Sequence, residues 1–158
     1  MTLRRPFRRL ILLAAAFASI AAFAASPAWA DRCDDTANQL KAGVDGLSIG
    51  RTAAGVIFLS HPQAKALSLG CASKNFSSQL YARSATRKPK PAFLGLVASA
   101  AAIIFTLPKA DMQKGAGRCL RALGLFRSEA AIRYRRLDMR CVRTKTDASI
   151  TISRGLDE

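Results

Sequence analysis

The sequence has only one histidine, His61, and it has no Cys-x-x-Cys pair among its 158 residues. The missing Cys-x-x-Cys pair argues against a thioredoxin-like redox site and against a zinc knuckle. His61 lies in a Ser-His-Pro-Gln segment, which is typical of an exposed turn. Ser60 cannot act as a nucleophile for His61, because neighbouring residues of an extended segment point to opposite sides. The sequence therefore predicts no catalytic residue, no cofactor and no metal site.

Acidic residues are scarce as well. Ten Asp and Glu residues stand against 25 Lys and Arg residues, which gives a formal net charge of +15 at pH 7. A chain with so large an excess of positive charge is attracted to anionic partners such as lipid headgroups, lipopolysaccharide, acidic proteins or nucleic acid. The composition therefore predicts the sign of the partner's charge but not its identity.

The first 30 residues have the pattern of a cleavable secretory signal peptide. Arginines at positions 4, 5, 8 and 9 precede an uninterrupted run of apolar and small residues from 10 to 25. Pro27 interrupts the run, and Ala28-Trp29-Ala30 has the small-x-small pattern that signal peptidase accepts. We expect cleavage after Ala30 and a periplasmic or secreted location for residues 31–158, which suffice for one domain. An uncleaved anchor is the alternative, and the paired arginines leave both the general secretory and the twin-arginine routes open.

All four cysteines, Cys33, Cys71, Cys119 and Cys141, follow the predicted cleavage site. An even number of cysteines in an exported chain predicts two disulfides, with four buried free thiols as the alternative. Three pairings are possible. We favour Cys33–Cys71 with Cys119–Cys141, because these pairs are close along the chain. Cys119 and Cys141 also fall on the apolar sides of a predicted helix and of the strand after it.

The first half of residues 31–158 is predicted to form one helix followed by strands. Apolar residues recur at helical spacing up to about Val44, and either Asp34 or Asp35 can cap the start of this helix. Alternating apolar and polar residues between 47 and 82 predict a meander of three or four antiparallel strands. The segment 56–59 is apolar without interruption, which is typical of a strand that is buried on both faces.

The second half begins with a basic, proline-containing linker at residues 84–91, which cannot be helical because of its prolines. Two helices are predicted after it, and alternating segments near the C-terminus predict strands. The pair Arg135-Arg136 shifts the phase of the alternation, which fits a β-bulge. We therefore expect a single small α+β domain of order α-β-β-β-α-α-β-β, with an antiparallel sheet packed against two or three helices and stabilised by disulfides.

The apolar segment Phe93–Leu107 could be a membrane span or the core helix of the domain. As an α-helix its 15 residues span about 22 Å, whereas the hydrocarbon core of a bilayer is about 30 Å thick. Pro91 and Pro108 flank the segment, and the basic residues 87–90 and Lys109 prevent its extension. A span would also isolate the last third of the chain, which is too short for a stable core. We expect a buried core helix.

Five arginines near the C-terminus define a candidate anion-binding surface, called here the arginine strip. Its members are Arg133, Arg135, Arg136, Arg140 and Arg143. If this segment is a strand, Arg133 and Arg135 point away from the core, although a helix over residues 128–137 is a second interpretation. Tyr134 is the only aromatic residue among them, and a nucleic-acid surface would need several. We therefore predict contact with anionic lipid, lipopolysaccharide or an acidic protein, with a solvated charged face as the alternative.

These patterns favour an exported, small, basic protein that is a non-catalytic binding or structural module. Two alternatives stay open at this stage. The chain could be an enzyme without a recognisable motif, in which carboxylates and lysines would carry the chemistry. It could also be a membrane-anchored protein that uses residues 93–107 as its span.

Overall fold

A computed structural model of the chain describes residues 28–73, 75–124 and 127–155. Within these ranges the element order is α-β-β-β-β-α-α-β-β-β. The elements are α1 (Ala28–Gly43), β1 (Ser48–Ala53), β2 (Val56–His61), β3 (Ala64–Gly70), β4 (Ser78–Arg83), α2 (Pro91–Phe105), α3 (Lys109–Ala122), β5 (Glu129–Tyr134), β6 (Leu137–Arg143) and β7 (Ala148–Arg154). Residues 1–27 of the predicted signal peptide lie outside the described residues. The predicted cleavage point after Ala30 falls in the first turn of α1.

The seven strands form one antiparallel sheet in the order β1-β2-β3-β4-β7-β6-β5. Alternate residues of the strands are buried against the helices, as in β6, where Leu137, Met139 and Cys141 are buried and Asp138 and Arg140 are exposed. Helix α2 lies between α1 and α3 and packs over β4, while α3 packs against β5 and β6. The predicted α+β domain is confirmed, with seven strands in place of the five in the predicted order.

The pair Arg135-Arg136 is a hairpin turn, and the predicted β-bulge is wrong. Strands β5 and β6 stay in register up to Tyr134 opposite Leu137, so only these two arginines connect them. Both arginines have positive φ, 52° and 61°, as the central residues of a type I′ turn require. Glycine or asparagine usually occupies such positions. Arg135-Arg136 has neither, so the change of phase in the alternation resembles a bulge although the chain reverses there.

Helix α1 begins earlier than predicted, and the proposed caps Asp34 and Asp35 are wrong because both lie inside it. Its buried face includes Cys33, Ala37 and Leu40, which recur at helical spacing and extend the apolar face one turn upstream of the predicted start. The helix ends at Gly43, as the sequence predicted.

Strand β2 is buried on one face only, which corrects the prediction for residues 56–59. Ile57 and Leu59 are buried, whereas 39% of Phe58 is exposed. The reason is that the helices cover a single face of the sheet, and none of the described elements forms a second layer on the opposite face. On that open face the Arg51 guanidinium lies 5.1 Å from the centre of the Phe58 ring, an arrangement that partly shields the ring from water.

Helix α2 is the buried core helix that the sequence favoured. It begins with Pro91 at a first-turn position, where the missing N–H of proline has no cost. Its buried residues are Phe93, Leu96, Val97, Ala98, Ala100, Ala101 and Phe105. Thr106 then ends the helix in the left-handed conformation, with φ at 52°. None of the helices in the described ranges is long and apolar enough to span a bilayer.

Two disulfides fasten the helices to the sheet. Cys33–Cys71 joins α1 to the residue after β3, and Cys119–Cys141 joins α3 to β6. This is the favoured pairing, and all four cysteines are used. The two bridges are compatible with an exported protein, since disulfides persist in oxidising compartments.

Candidate anion-binding surface

The structure distributes the five residues of the arginine strip over three places. Arg133 and Arg140 are exposed on the open face of the sheet. Arg135 and Arg136 form the β5–β6 turn at one end of the sheet. Arg143 lies at the opposite end and on the helix side, where its guanidinium contacts the last turn of α3. The strip is therefore not one continuous surface, and the anion-binding role of its members stays a prediction.

Carboxylates offset part of the charge of the strip. Arg140 Nε donates a hydrogen bond to Glu129 Oε1 at 2.6 Å, and this bond lowers the pKa of the Glu129 carboxyl. Arg135 lies 3.4 Å from the carboxylate of Asp111. An arginine that already has a carboxylate partner attracts a second anion less strongly, because the two charges largely cancel at a distance.

The aromatic residue of the strip does not share its surface. Tyr134 faces the helices, and the guanidinium of Arg118 in α3 lies 5.3 Å from the centre of its ring. The open face nearby has a shallow depression of about 650 Å³. Its lining residues are Gln79, Ala131, Ile132, Arg133, Asp138, Met139, Arg140, Thr151 and Ser153. Charges of both signs line this depression, so it offers no strong field for an anion.

A different group of cations lies together at the end of the sheet where β4 ends and β7 begins. Because neighbouring strands are antiparallel, the β6–β7 turn and the start of β5 lie at this same end. The loop from β4 to α2, the end of α3 and the β6–β7 turn all carry basic residues. We call this group the basic corner, and it comprises Arg87, Lys88, Lys90, Arg121, Arg127, Arg143 and Lys145.

The charge of the basic corner is not offset by neighbouring carboxylates. In the part of the chain that the structure describes, no ion pair includes any of its seven members. Asp147 is at the same end, but it is 1% exposed and pairs with Arg83 at 2.6 Å. Asp45 is in the α1–β1 connection, beside the end of β2, and its backbone carbonyl accepts a hydrogen bond from the ring of His61. Glu129, at the start of β5, is an exposed carboxylate at this end and pairs with Arg140. The seven members of the basic corner therefore have no carboxylate partner of their own among the described residues, and the surface is predominantly positive.

A groove of about 350 Å³ lies within the basic corner, between the β4–α2 loop and α3. Its lining residues are Lys88, Pro89, Leu94, Gly117, Leu120, Arg121, Gly124 and Arg143. Arg143 is held in place because Nη1 donates to the carbonyl of Gly124 at 2.9 Å and Nη2 donates to that of Leu120 at 3.4 Å. A cation there also complements the negative end of the α3 dipole. Its Nε is buried without a hydrogen-bond partner in the described part of the chain.

Asp147 positions the β6–β7 turn that carries Lys145. Arg83 donates to one oxygen of the Asp147 carboxylate at 2.6 Å, and the Thr144 hydroxyl donates to the other at 2.8 Å. These hydrogen bonds, that of Arg83 above all, hold the pKa of the Asp147 carboxyl below its ordinary value. The ion pair thus fixes the turn against the end of β4.

Replacing Asp147 with asparagine should make the protein less stable at neutral pH and should reduce its sensitivity to acid. Because the folded-state pKa of Asp147 is depressed, its contribution is complete above the ordinary value of 3.8 and is lost as pH falls through the lower folded value. Urea midpoints should therefore differ between wild type and Asp147→Asn at pH 7, and the difference should shrink in strong acid. A constant difference at every pH would contradict the assignment. Asp34→Asn, which removes an exposed carboxylate that has no ion pair among the described residues, is the control.

The segment Gly46-Leu47-Ser48-Ile49-Gly50 matches the Gly-x-Ser-x-Gly pattern of nucleophile elbows, a match that sequence reasoning missed. The pattern requires a turn from a strand into a helix, whereas here a helix leads through the turn into β1. Ser48 Oγ is hydrogen-bonded to Ser60 Oγ at 2.8 Å. The hydrogen-bond partner of Ser48 among the described residues is therefore another hydroxyl and not a base.

Both ring nitrogens of His61 are used in backbone hydrogen bonds. Nδ1 accepts from the N–H of Gln63 at 3.1 Å, so the neutral ring donates from Nε2 to the carbonyl of Asp45 at 2.9 Å. His61 therefore joins the α1–β1 connection to the β2–β3 turn. The described residues contain no group of three or more His, Cys, Asp or Glu side chains that could hold a metal ion.

The chain matches no protein-family model, and neither a curated protein nor a solved structure is significantly similar to it. The geometry of the basic corner is therefore the feature on which a functional proposal can rest.

Proposed function

We propose that this protein is an exported, non-catalytic module that binds a negatively charged envelope surface through the basic corner. The observation that carries the proposal is the position of its seven cations, which come from three separate segments and have no carboxylate partners among the described residues. Surfaces with one sign of charge attract oppositely charged partners over distances of about 10 Å at moderate salt.

Export to the periplasm or beyond is supported by the N-terminal signal pattern and by the two disulfides. In that compartment, phosphate groups of lipid headgroups or of lipopolysaccharide are abundant partners for a basic surface. An acidic partner protein would satisfy the same charge requirement, but it would need a matching shape. A phosphate-bearing surface needs only cations that reach it together, which the exposed side chains of the β4–α2 loop can do.

The affinity expected from this surface is set by how many cations approach the anionic layer together. Each lysine or arginine near an anionic membrane surface contributes about 1 kcal/mol. The β4–α2 loop alone has three, Arg87, Lys88 and Lys90, all of them exposed. Pro89 and Pro91 restrict the backbone between and after them, so these cations lose less conformational freedom on binding than they would in a flexible tail.

The direct test is sedimentation of the purified, disulfide-intact protein with vesicles. One set of vesicles contains phosphatidylcholine alone, and the other contains about one-third phosphatidylglycerol, which gives an anionic surface. We expect binding to the anionic set at about 0.1 M salt and its loss at about 1 M, where charges are screened within about 3 Å. Equal binding to both sets, or binding that is independent of salt, would contradict the proposal.

A further inference from the structure

We propose that the groove between the β4–α2 loop and α3 binds the phosphate of an anionic lipid, with the first carbons of the lipid on the apolar part of the groove. This inference deepens the proposed function and rests on it, because it assigns one specific site within the basic corner. The ligand class is a phosphate that carries an apolar chain.

Three cations line the groove, and none of the acidic residues that the structure describes does. Lys88 comes from the β4–α2 loop, Arg121 from the last turn of α3, and Arg143 from the end of β6. Arg143 cannot turn away from the groove without losing its hydrogen bonds to the carbonyls of Leu120 and Gly124. The groove therefore has one fixed positive charge and two adjustable ones, which suits a tetrahedral anion that accepts several hydrogen bonds.

The remaining lining is apolar and distinguishes the groove from a simple anion site. Pro89, Leu94 and Leu120 contribute to its walls, and water in contact with such walls is readily displaced by hydrocarbon. A volume of about 350 Å³ is at the lower end of small-molecule sites. It has room for a headgroup phosphate and the carbons nearest to it, while the rest of a lipid would stay in the membrane.

Gly117 lets the Arg121 guanidinium lie close against α3 at the groove. A side chain at this position would begin 3.2 Å from Nη1 of Arg121, and its three nearest atoms would all belong to the Arg121 guanidinium. A glycine in the middle of a helix lowers helix stability by up to about 1 kcal/mol relative to alanine. The absence of a side chain here lets the guanidinium lie at the wall of the groove, and a larger residue would displace it.

The groove can be tested with a lipid that is soluble as a monomer. The probe is dihexanoyl-phosphatidylglycerol below its micelle concentration, and binding is followed by calorimetry and by NMR shifts of the full protein. Gly117→Leu should displace the Arg121 guanidinium and occupy part of the groove, and Arg121→Gln should remove one of its charges. Each should weaken binding about tenfold or more, as expected for loss of a charge-assisted contact.

The matched control is Arg118→Gln. Arg118 is exposed on the same helix as Arg121 and lies over the ring of Tyr134, outside the groove. Its replacement removes the same charge, so an unchanged affinity separates groove binding from general attraction. Thermal unfolding checks that Gly117→Leu is folded, and Arg121→Gln tests the site independently if it is not.

The outcomes separate this inference from the proposed function. Wild-type affinity for the short-chain lipid in both groove variants would overturn the groove site, even where salt-dependent vesicle binding persists. Failure of the wild-type protein to bind anionic vesicles, together with short-chain binding that both groove variants weaken, would overturn the proposed function and leave the groove site. Equal affinity for glycerol 3-phosphate would overturn the lipid assignment, because the apolar part would then contribute nothing.

Discussion

Replacing both Cys33 and Cys71 with alanine should lower the free energy of unfolding by about 4 kcal/mol, according to the chain-entropy model of disulfides. The bridge closes a loop of 38 residues between α1 and the end of β3, and its removal frees the unfolded chain far more than the folded one. Equilibrium urea unfolding, followed by far-ultraviolet circular dichroism, gives the change in free energy.

Removal of the second bridge is the comparison. Cys119 and Cys141 close a loop of 22 residues, so the same model predicts a slightly smaller loss of about 3 kcal/mol. The midpoint of each alanine pair should still fall on reduction, because each pair keeps the other bridge. The variant that lacks all four cysteines should unfold at the same denaturant concentration with and without a reducing agent, whereas the wild-type midpoint should fall on reduction. A wild-type midpoint that does not respond to reduction would contradict the role given to the bridges.

Replacing Phe105 with alanine should destabilise the protein by about 3–5 kcal/mol, the range for removal of a buried phenyl ring. Phe105 is 1% exposed at the end of α2. The Arg154 guanidinium lies 5.6 Å from the centre of its ring and donates to its carbonyl at 2.7 Å. The substitution therefore leaves a cavity where the core helix meets the end of β7.

Phe58→Ala is the control for Phe105→Ala, because Phe58 is 39% exposed on the open face of the sheet. Its replacement should cost less than about 1 kcal/mol. Denaturant unfolding of both variants measures the difference. Equal losses at the two positions would mean that α2 is not the centre of the core, and the assignment of residues 91–105 as a core helix would then fail.

Local patterns predicted the elements whose stability depends on one buried face. The length of Phe93–Leu107 and its flanking prolines indicated a core helix, because a span of about 22 Å is too short for a bilayer. Helix α2 occupies residues 91–105, two positions earlier at each end. The alternating segments and the favoured disulfide pairing were also predicted, since both depend on the distance along the chain and on the side of an element.

Features that depend on contacts between distant segments were not predicted. Strand β2 has the composition of a doubly buried strand, but its exposure is set by the number of helical layers. The turn Arg135-Arg136 lacks the glycine or asparagine that usually identifies a type I′ turn. Only its pairing register, with Tyr134 opposite Leu137, shows that the chain reverses there.

The candidate site illustrates the same limit. The members of the arginine strip are close in sequence, which is why the sequence predicts one surface. In the fold they lie on different faces, and Arg140 and Arg135 have carboxylate partners. The basic corner combines residues as distant in sequence as Arg87 and Lys145, which lie at the same end of the sheet because β4 ends where the β6–β7 turn lies. The basic linker at 84–91 was the one sequence signal that pointed to this end of the sheet.

Lysine footprinting on vesicles tests most directly whether the basic corner faces the anionic surface. The protein is acetylated in solution and on phosphatidylglycerol-containing vesicles, and modification at each lysine is measured by mass spectrometry. We predict that Lys88, Lys90 and Lys145 are protected on the vesicles, while Lys109 is modified equally in both states. Lys109 starts α3 at the opposite end of the molecule. Protection of Lys109 with free modification of Lys88, Lys90 and Lys145 would contradict the proposed orientation.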